Sequence, residues 1–282
     1  MVLVDYIRLT RPRITLLVIL TGFIGMWTAS RGALDPFGVL WFLAALSLAS
    51  SGAAVFNSYY DRDIDCLMKR TSKRPLAQGR LKPSHALIFG IALTLISFAL
   101  FLIFFNLLSA ILAALTTFCY SYVYTVLKRK TPKATEIGGI SGALPPVIGW
   151  AAARGTLNLE ALVLFAIMFL WQPPHFWALG LHYKEDYRKA KIPTMSVVYS
   201  ENDTTVRSLI YVLCLLSVSV MPYFLGMTGS IYLITSSFLG ILYVLLYGLA
   251  LMTKRDLNRT LFFYSIVYLS LVFIAMVFDL KR

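Results

Sequence analysis

The sequence predicts an all-α polytopic membrane protein with nine transmembrane helices, forming a single domain over residues 1–282. Three observations predict it. Apolar residues make up 59% of the chain and gather into long runs, and a run of ~20 crosses a bilayer as a helix. Only 14% of residues are charged, against about a quarter in a soluble domain. The mean hydropathy is +0.74, and no polar stretch is long enough to fold as a second domain.

The spans fall at about 14–33, 36–57, 84–105, 107–127, 135–154, 158–182, 205–227, 231–252 and 259–280. The first follows Arg8, Arg11 and Arg13 in the manner of a signal peptide. No small-residue cleavage site follows it and further spans continue the pattern, so it is read as the first membrane helix. The fifth is the weakest, with Gly138, Gly139, Gly142, Gly149, Pro145 and Pro146. Such residues are tolerated where neighbours re-satisfy the backbone, and small ones let helices approach closely. Cys66, Cys119 and Cys214 are scattered, odd in number and without metal-type spacing, so no function is assigned to them.

The net charge is +13. In a soluble protein that points to nucleic acid; in a membrane protein it is first a topology signal. Of the 26 Lys and Arg, 22 fall on the N-terminus, loops 58–83 and 128–134, and loops 183–204 and 253–258 with their flanks. The other side has Arg31, Arg154, Lys281 and Arg282. The expectation is an integral cell-membrane protein with its N-terminus and long loops cytoplasmic and its C-terminus outside. The loops after spans 2 and 6 are the long ones, and each runs from acidic to basic. Spans four apart run in the same direction, which hints at a parallel internal duplication.

The first of these loops carries the strongest motif, Asn57-Ser-Tyr-Tyr-Asp61-Arg-Asp-Ile-Asp65, followed by Lys69, Arg70, Lys73 and Arg74. If span 2 continues as a helix, positions 57, 61 and 65 drift by only ~40° per step and share one face over ~12 Å, with Asp63 pointing elsewhere. Oxygen ligands in that array suit Mg²⁺, which takes one or two carboxylates plus substrate phosphate oxygens. The four basic residues are candidates for the remaining anionic charge. A solvated, topology-setting loop is the plain alternative for the basic residues. It accounts less well for three polar groups on one face at a membrane helix end. The second loop offers Glu185 and Asp186 as carboxylate ligands for a second metal, and Lys184, Arg188 and Lys189 as phosphate contacts. Before it, Gln172, His175 and His182 lie near one helical face. A buried histidine there is a helix–helix hydrogen bond, an acid/base group or a haem ligand. His85 is read as interfacial. Some of the 16 Tyr, 19 Phe and 5 Trp are candidates to line an isoprenoid pocket and shield a carbocation.

At these residues the chain resembles a known family. Asn57, Asp61 and Asp65 with Arg70-Thr71 and Arg74-Pro75 look like the signature of the UbiA superfamily of intramembrane aromatic prenyltransferases. Lys128–Pro132, Ile137–Gly139, Gly142–Pro146 with Gly149-Trp150, Trp171–Leu179, and Glu185–Tyr187 with Ile192-Pro193 resemble its haem-farnesylating branch. The resemblance covers nearly the whole chain. It departs at Lys191, often glycine in the family, and at Thr194–Ser196.

The resemblance implies helices bundled around a central cavity and Mg²⁺ as cofactor. It implies that farnesyl diphosphate is held through Mg²⁺ by Asn57, Asp61 and Asp65 with the second cluster completing the cage. Haem B is the implied acceptor, and Gln172, His175 and His182 are candidates to contact it. Membrane lipid, and haem A synthase or the terminal oxidase assembly, are the other implied partners; nucleic acid is not. Three rivals stand beside this: a quinone or chlorophyll branch of the same superfamily, a transporter built on the broken fifth span, and a non-catalytic haem-binding assembly factor.

Overall fold

The computed structural model describes residues 2–253 and 256–281. Lys254, Arg255 and Arg282, which count towards the charge asymmetry, lie outside the described residues. Those residues form helices α1 (Val2–Leu9), α2 (Pro12–Ala29), α3 (Pro36–Tyr60), α4 (Arg62–Asp65), α5 (Pro83–Phe104) and α6 (Leu107–Phe118). A π-helical segment, Cys119–Tyr124, joins α6 to α7 (Thr125–Leu127). Then come α8 (Ala134–Arg154), α9 (Leu159–His182), α10 (Lys184–Lys189), α11 (Met195–Val198), α12 (Glu201–Ser219), α13 (Met221–Phe224), α14 (Ser230–Thr253) and α15 (Asn258–Phe278).

The helix starts are written locally. Proline opens α2, α3 and α5, where its missing N–H costs nothing and its φ is pre-set. Asp35, Asn106, Asn158 and Ser200 cap α3, α6, α9 and α12 by accepting from the amides of Gly38, Ser109, Ala161 and Asp203, satisfying donors the helix leaves open. The Ser200 cap also starts the seventh span at Glu201, four residues before its expected beginning. Pro222, in the short helix α13 that follows, interrupts that span near its end.

Among the described residues, eight helical spans are long and apolar enough to cross a membrane. α8 matches them in length at 21 residues but not in composition, because glycine, proline and the ends at Glu136 and Arg154 dilute it. Its position explains why it need not be oily. It packs between α2, α6 and α9, and it is buried on every side from Ala143 to Ala151. Gly25 and Gly149 bring α2 and α8 into backbone contact: a Cβ at Gly25 would lie 1.9 Å from the Pro146 carbonyl oxygen, and one at Gly149 would lie 2.0 Å from that of Gly22. Helix association without a hydrophobic driving force relies on such close approach.

The apolar core is in two main parts. Phe42, Leu46, Phe101 and Ala110 from α3, α5 and α6 form one; Leu164, Val212, Tyr243 and Tyr268 from α9, α12, α14 and α15 form the other. α8 serves both, giving Leu144, Val147 and Ile148 to the first and Ala143 and Trp150 to the second. Large apolar side chains such as Leu95, Ile103, Ile234 and Phe238 face outward, as a lipid-facing surface requires.

Candidate active site

The acidic motif sits where α3 ends. Its backbone does not leave the helical path at the break: the Asp61 amide donates to the Asn57 carbonyl at 3.0 Å and the Asp65 amide to that of Asp61 at 2.8 Å. Asn57, Asp61 and Asp65 are therefore stacked on one face, at 2%, 2% and 3% exposure. The Asp63 side chain is 61% exposed.

Each buried group is met by a basic side chain. Lys128, just past α7, donates to Asp61 Oδ2. Arg74 Nη1 lies 2.7 Å from both oxygens of Asp65. Arg11 donates through Nη2 to Asn57 Oδ1 at 2.7 Å and Ser58 Oγ at 3.2 Å, and through Nη1 to the Tyr120 hydroxyl at 3.2 Å. Asn57 Nδ2 in turn donates to Thr125 Oγ1 at 2.8 Å. Arg129 takes both oxygens of Asp63 at 2.7 Å and approaches Asp61 Oδ1 to 3.8 Å. That Asp61 oxygen is buried and has no hydrogen-bond partner among the described residues.

The charges at this helix end act on one another. The hydrogen bond from Arg129 holds the Asp63 carboxyl below its ordinary pKa and raises that of Arg129. Burial pushes the Lys128 ammonium down, with Asp61 opposing. Burial and the nearby Arg11 push Arg74 down, with Asp65 opposing. Arg74, Lys128 and Arg129 thus pair with Asp65, Asp61 and Asp63, and Arg11 adds a fourth cation on Asn57, so the site carries surplus positive charge in a partly desolvated place.

Two backbone features support it. Arg11 precedes α2 with a left-handed backbone (φ 50°), a conformation that costs a non-glycine residue and clusters at functional sites. The π-helical segment re-registers the chain just before Thr125 and Lys128, and π-turns also concentrate at such sites. Neither feature is legible in composition. Arg11, Lys128 and Arg129 were expected only as topology charges; the one hint is that Lys128 opens a segment matching the family.

The second cluster is arranged differently. Glu185 and Arg188 on α10 are exposed and pair with each other. Arg70 bridges the clusters, donating to the Tyr187 hydroxyl at 3.3 Å with its guanidinium 5.8 Å from the Tyr183 ring. Ile64 and Met68 pack on Tyr187, Ala190 and Ile192 beneath that bridge. Lys191 has φ 53°, which accounts for glycine suiting the position. Lys69 and Lys73 stay exposed and Lys184 is half-buried. Among the described residues no three of His, Cys, Asp and Glu form a metal-type group. Asp61, Asp65, Glu185 and Asp186 are thus not gathered into one cage.

Of the haem candidates, Gln172 is buried and donates to the Gly139 and Met168 carbonyls at 2.9 and 3.1 Å. A Cβ at Gly142 would lie 2.1 Å from its Oε1, so Gln172 locks α9 to α8. His175 is also buried, its Nδ1 2.6 Å from Ser265 Oγ and its ring stacked between Trp171 and Phe262. His182 is exposed, edge-on to Tyr183.

Comparisons with known proteins bear on the whole chain. The sequence profile of the UbiA prenyltransferase family matches residues 18–274. A protoheme IX farnesyltransferase of Aquifex aeolicus is 45% identical over 282 residues, covering all of this chain and 97% of its own. The protoheme IX farnesyltransferase of Rickettsia akari is 43% identical, covering 96% and 90%. Protoheme IX farnesyltransferase 1 of Pseudomonas putida KT2440 is 42% identical, covering 98% and 93%. Among solved structures, a digeranylgeranylglyceryl phosphate synthase superposes with a TM-score of 0.84 at 20% identity, covering 98% of each chain. A UbiA homologue of Archaeoglobus fulgidus, bound to DMAPP and Mg²⁺, gives 0.70 at 17%, covering 96% and 99%. The two structures share the fold, and the relatives share the sequence nearly end to end: the chain belongs to the UbiA prenyltransferase family and is a membrane prenyltransferase.

Proposed function

We propose that this prenyltransferase moves the farnesyl group of farnesyl diphosphate to a vinyl side chain of haem B, with addition of water, giving haem O and diphosphate. The acceptor rests on the activity for which the relatives are named, protoheme IX farnesyltransferase. The donor site rests on one observation above all: cationic side chains outnumber the carboxylates they meet at a buried helix end, the complement of a metal-neutralised diphosphate.

The residues present fit Mg²⁺. The buried, unpartnered Oδ1 of Asp61 lies on the same face as Asp65 and Asn57. Two carboxylates plus phosphate oxygens are the ligand set Mg²⁺ favours. Asn57, Asp61 and Asp65 would hold it, with Glu185 and Asp186 the candidates for a second ion. When bound, it neutralises the diphosphate and makes it a better leaving group. Lys128 and Arg74 sit where they can turn from the carboxylates, and Arg11 from Asn57, to the phosphate oxygens. Arg70, Lys69 and Lys73, with Lys184 and Arg188 from the second loop, are the further candidates to contact that anion.

In the reaction the C1–O bond of the donor breaks and its electron pair leaves with the diphosphate. The vinyl π electrons form a bond to C1, and water captures the resulting cation beside the porphyrin and loses a proton. The protein's contribution is positioning and fixed charge in a water-poor site. His175 is the proposed haem contact through Nε2, which has no hydrogen-bond partner among the described residues, while Ser265 and the flanking rings set its orientation. His175→Ala should weaken haem binding and spare farnesyl diphosphate binding; unchanged haem affinity removes that role. The active end faces the cytoplasm and the C-terminus the outside, on the strength of the charge asymmetry. Mass spectrometry of haem from cells expressing the chain tests the reaction. A haem heavier by one farnesyl group and one hydroxyl is expected. A folded protein that prenylates 4-hydroxybenzoate and leaves haem B unchanged would overturn it.

A further inference from the structure

The far end of the bundle holds a second charged feature that the reaction does not use. α2 sets the separation. Arg11 at its start holds Asn57, Arg31 follows its end, and 18 residues of helix place the two about 27 Å apart. There a pocket of about 250 Å³ is lined in part by Arg31, Trp150, Arg154, Asn158, Glu160 and Lys281. Three of the four Lys and Arg that escape the positive-inside bias line this one pocket. They follow or end α2, α8 and α15. Trp150 belongs to the Gly149-Trp150 segment, which the active site leaves unexplained.

Basic residues at helix C-termini offset the macrodipole, and these do so with part of their capacity. Arg154 Nε donates to the Ala29 carbonyl at 2.6 Å, and Arg31 Nη1 to that of Lys281 at 3.2 Å. A guanidinium has five donors. Among the described residues neither arginine nor Lys281 has a carboxylate partner. Trp150 is 4% exposed, and its Nε1 is buried with no acceptor; indole can only donate. The pocket therefore has donors in excess and three cations against Glu160. That is the complement of an anion with several acceptor oxygens. It is smaller than the ~300–1,000 Å³ of drug-sized ligand sites, too small for a porphyrin. An acceptor held there would also lie nearly a bilayer core, ~30 Å, from the diphosphate.

We propose that this pocket binds the phosphodiester headgroup of a net-anionic phospholipid of the outer leaflet. Arg31, Arg154 and Lys281 take the phosphate oxygens. The pocket lies at the ends of membrane helices, where headgroups sit. Exposed Leu157, Leu159 and Leu162 beside Asn158 and Glu160 offer apolar surface to the acyl chains. The outer-leaflet placement rests on the orientation proposed above; the binding chemistry does not.

The test uses the full chain in nanodiscs of phosphatidylcholine alone or mixed equally with phosphatidylglycerol. It reads lipid retention by native mass spectrometry alongside thermal unfolding. Wild type should retain phosphatidylglycerol and unfold at higher temperature in the mixed discs. Arg31→Gln with Arg154→Gln should weaken retention about tenfold per arginine, with prenyl transfer in phosphatidylcholine unchanged. Undiminished retention in that variant overturns the site. An equal loss from Lys130→Gln with Lys133→Gln, at the opposite end, overturns it in favour of diffuse charge attraction. If inorganic phosphate in phosphatidylcholine discs gives the whole thermal gain, the ligand is a free anion and the lipid assignment falls. Should the double variant not fold, Lys281→Gln on the exposed tail carries the same test, with a smaller loss expected. Glu160→Gln should strengthen retention; weakening counts against the proposal.

Discussion

The two polar clusters of this prenyltransferase look alike in sequence and are built on different physics. In the first, Asp61 and Asp65 are almost fully buried and are braced by Lys128 and Arg74 from outside their own helix, while Arg11 holds the neighbouring Asn57. In the second, Glu185 and Arg188 are exposed and paired within a single turn of α10. A buried charge that loses its partner is expensive, roughly 3–5 kcal/mol. An exposed pair contributes about 0–1 kcal/mol. The first cluster is therefore a preorganised frame. The second is free to rearrange around a ligand, tied to the frame through Arg70 and the small apolar patch beneath it.

The contrast breaks most sharply at the carboxylates. Asp61→Ala and Asp65→Ala should each cost turnover by about 10²–10³-fold or more with the protein still folded, read by diphosphate release; near-normal activity in either would end the metal assignment. Lys128→Met comes next, because it strands the buried Asp61. It should lower stability by roughly 3–5 kcal/mol, measured by unfolding in detergent; a change near zero would mean Asp61 is less buried than described. Lys128 also gives the site a pH dependence. Burial sets its pKa below that of a free lysine, so its positive charge is lost at a lower pH than usual. The KM for farnesyl diphosphate should therefore rise as pH climbs through that lowered value. Lys128→Arg should remove this alkaline limb, because guanidinium stays charged. An unaltered profile would place the titrating group elsewhere.

The smallest expected effect is at the second cluster. Glu185→Gln should change stability by no more than about 1 kcal/mol and reduce turnover less than Asp61→Ala does. A loss as complete as that of Asp61→Ala would mean the second cluster is as rigidly organised as the first once substrate is bound. That outcome would replace the contrast with two equivalent halves.

Much of the fold was legible because it is local. Hydrophobic runs, proline at helix starts and short polar caps mark most elements without reference to the rest of the chain. The fifth span was the ambiguous one for a physical reason. A helix packed between other helices does not need the oily surface of a lipid-facing one, so α8 carries glycines and prolines instead. In the site, the shared face of Asn57, Asp61 and Asp65 could be anticipated from helical periodicity. The different settings of Gln172, His175 and His182 could not: all three lie near one helical face, and only the packing of α9 against α8 and α15 distinguishes an interhelix lock, a stacked core ring and an exposed edge.

By itself, then, the sequence determined the helices, the uneven distribution of charge between the two ends of the bundle, and a polar face at the end of α3, since each depends on neighbours within a turn or on simple counting. Tertiary structure alone decided which cations meet that face. Arg11 reaches Asn57 from 46 residues away and Lys128 reaches Asp61 from 67, through a left-handed residue and a π-helical turn that no local propensity foretells. It also drew Arg31, Arg154 and Lys281 around one pocket. Long-range electrostatic pairing is settled by where the helices pack, and helix packing depends on contacts between residues distant in the chain.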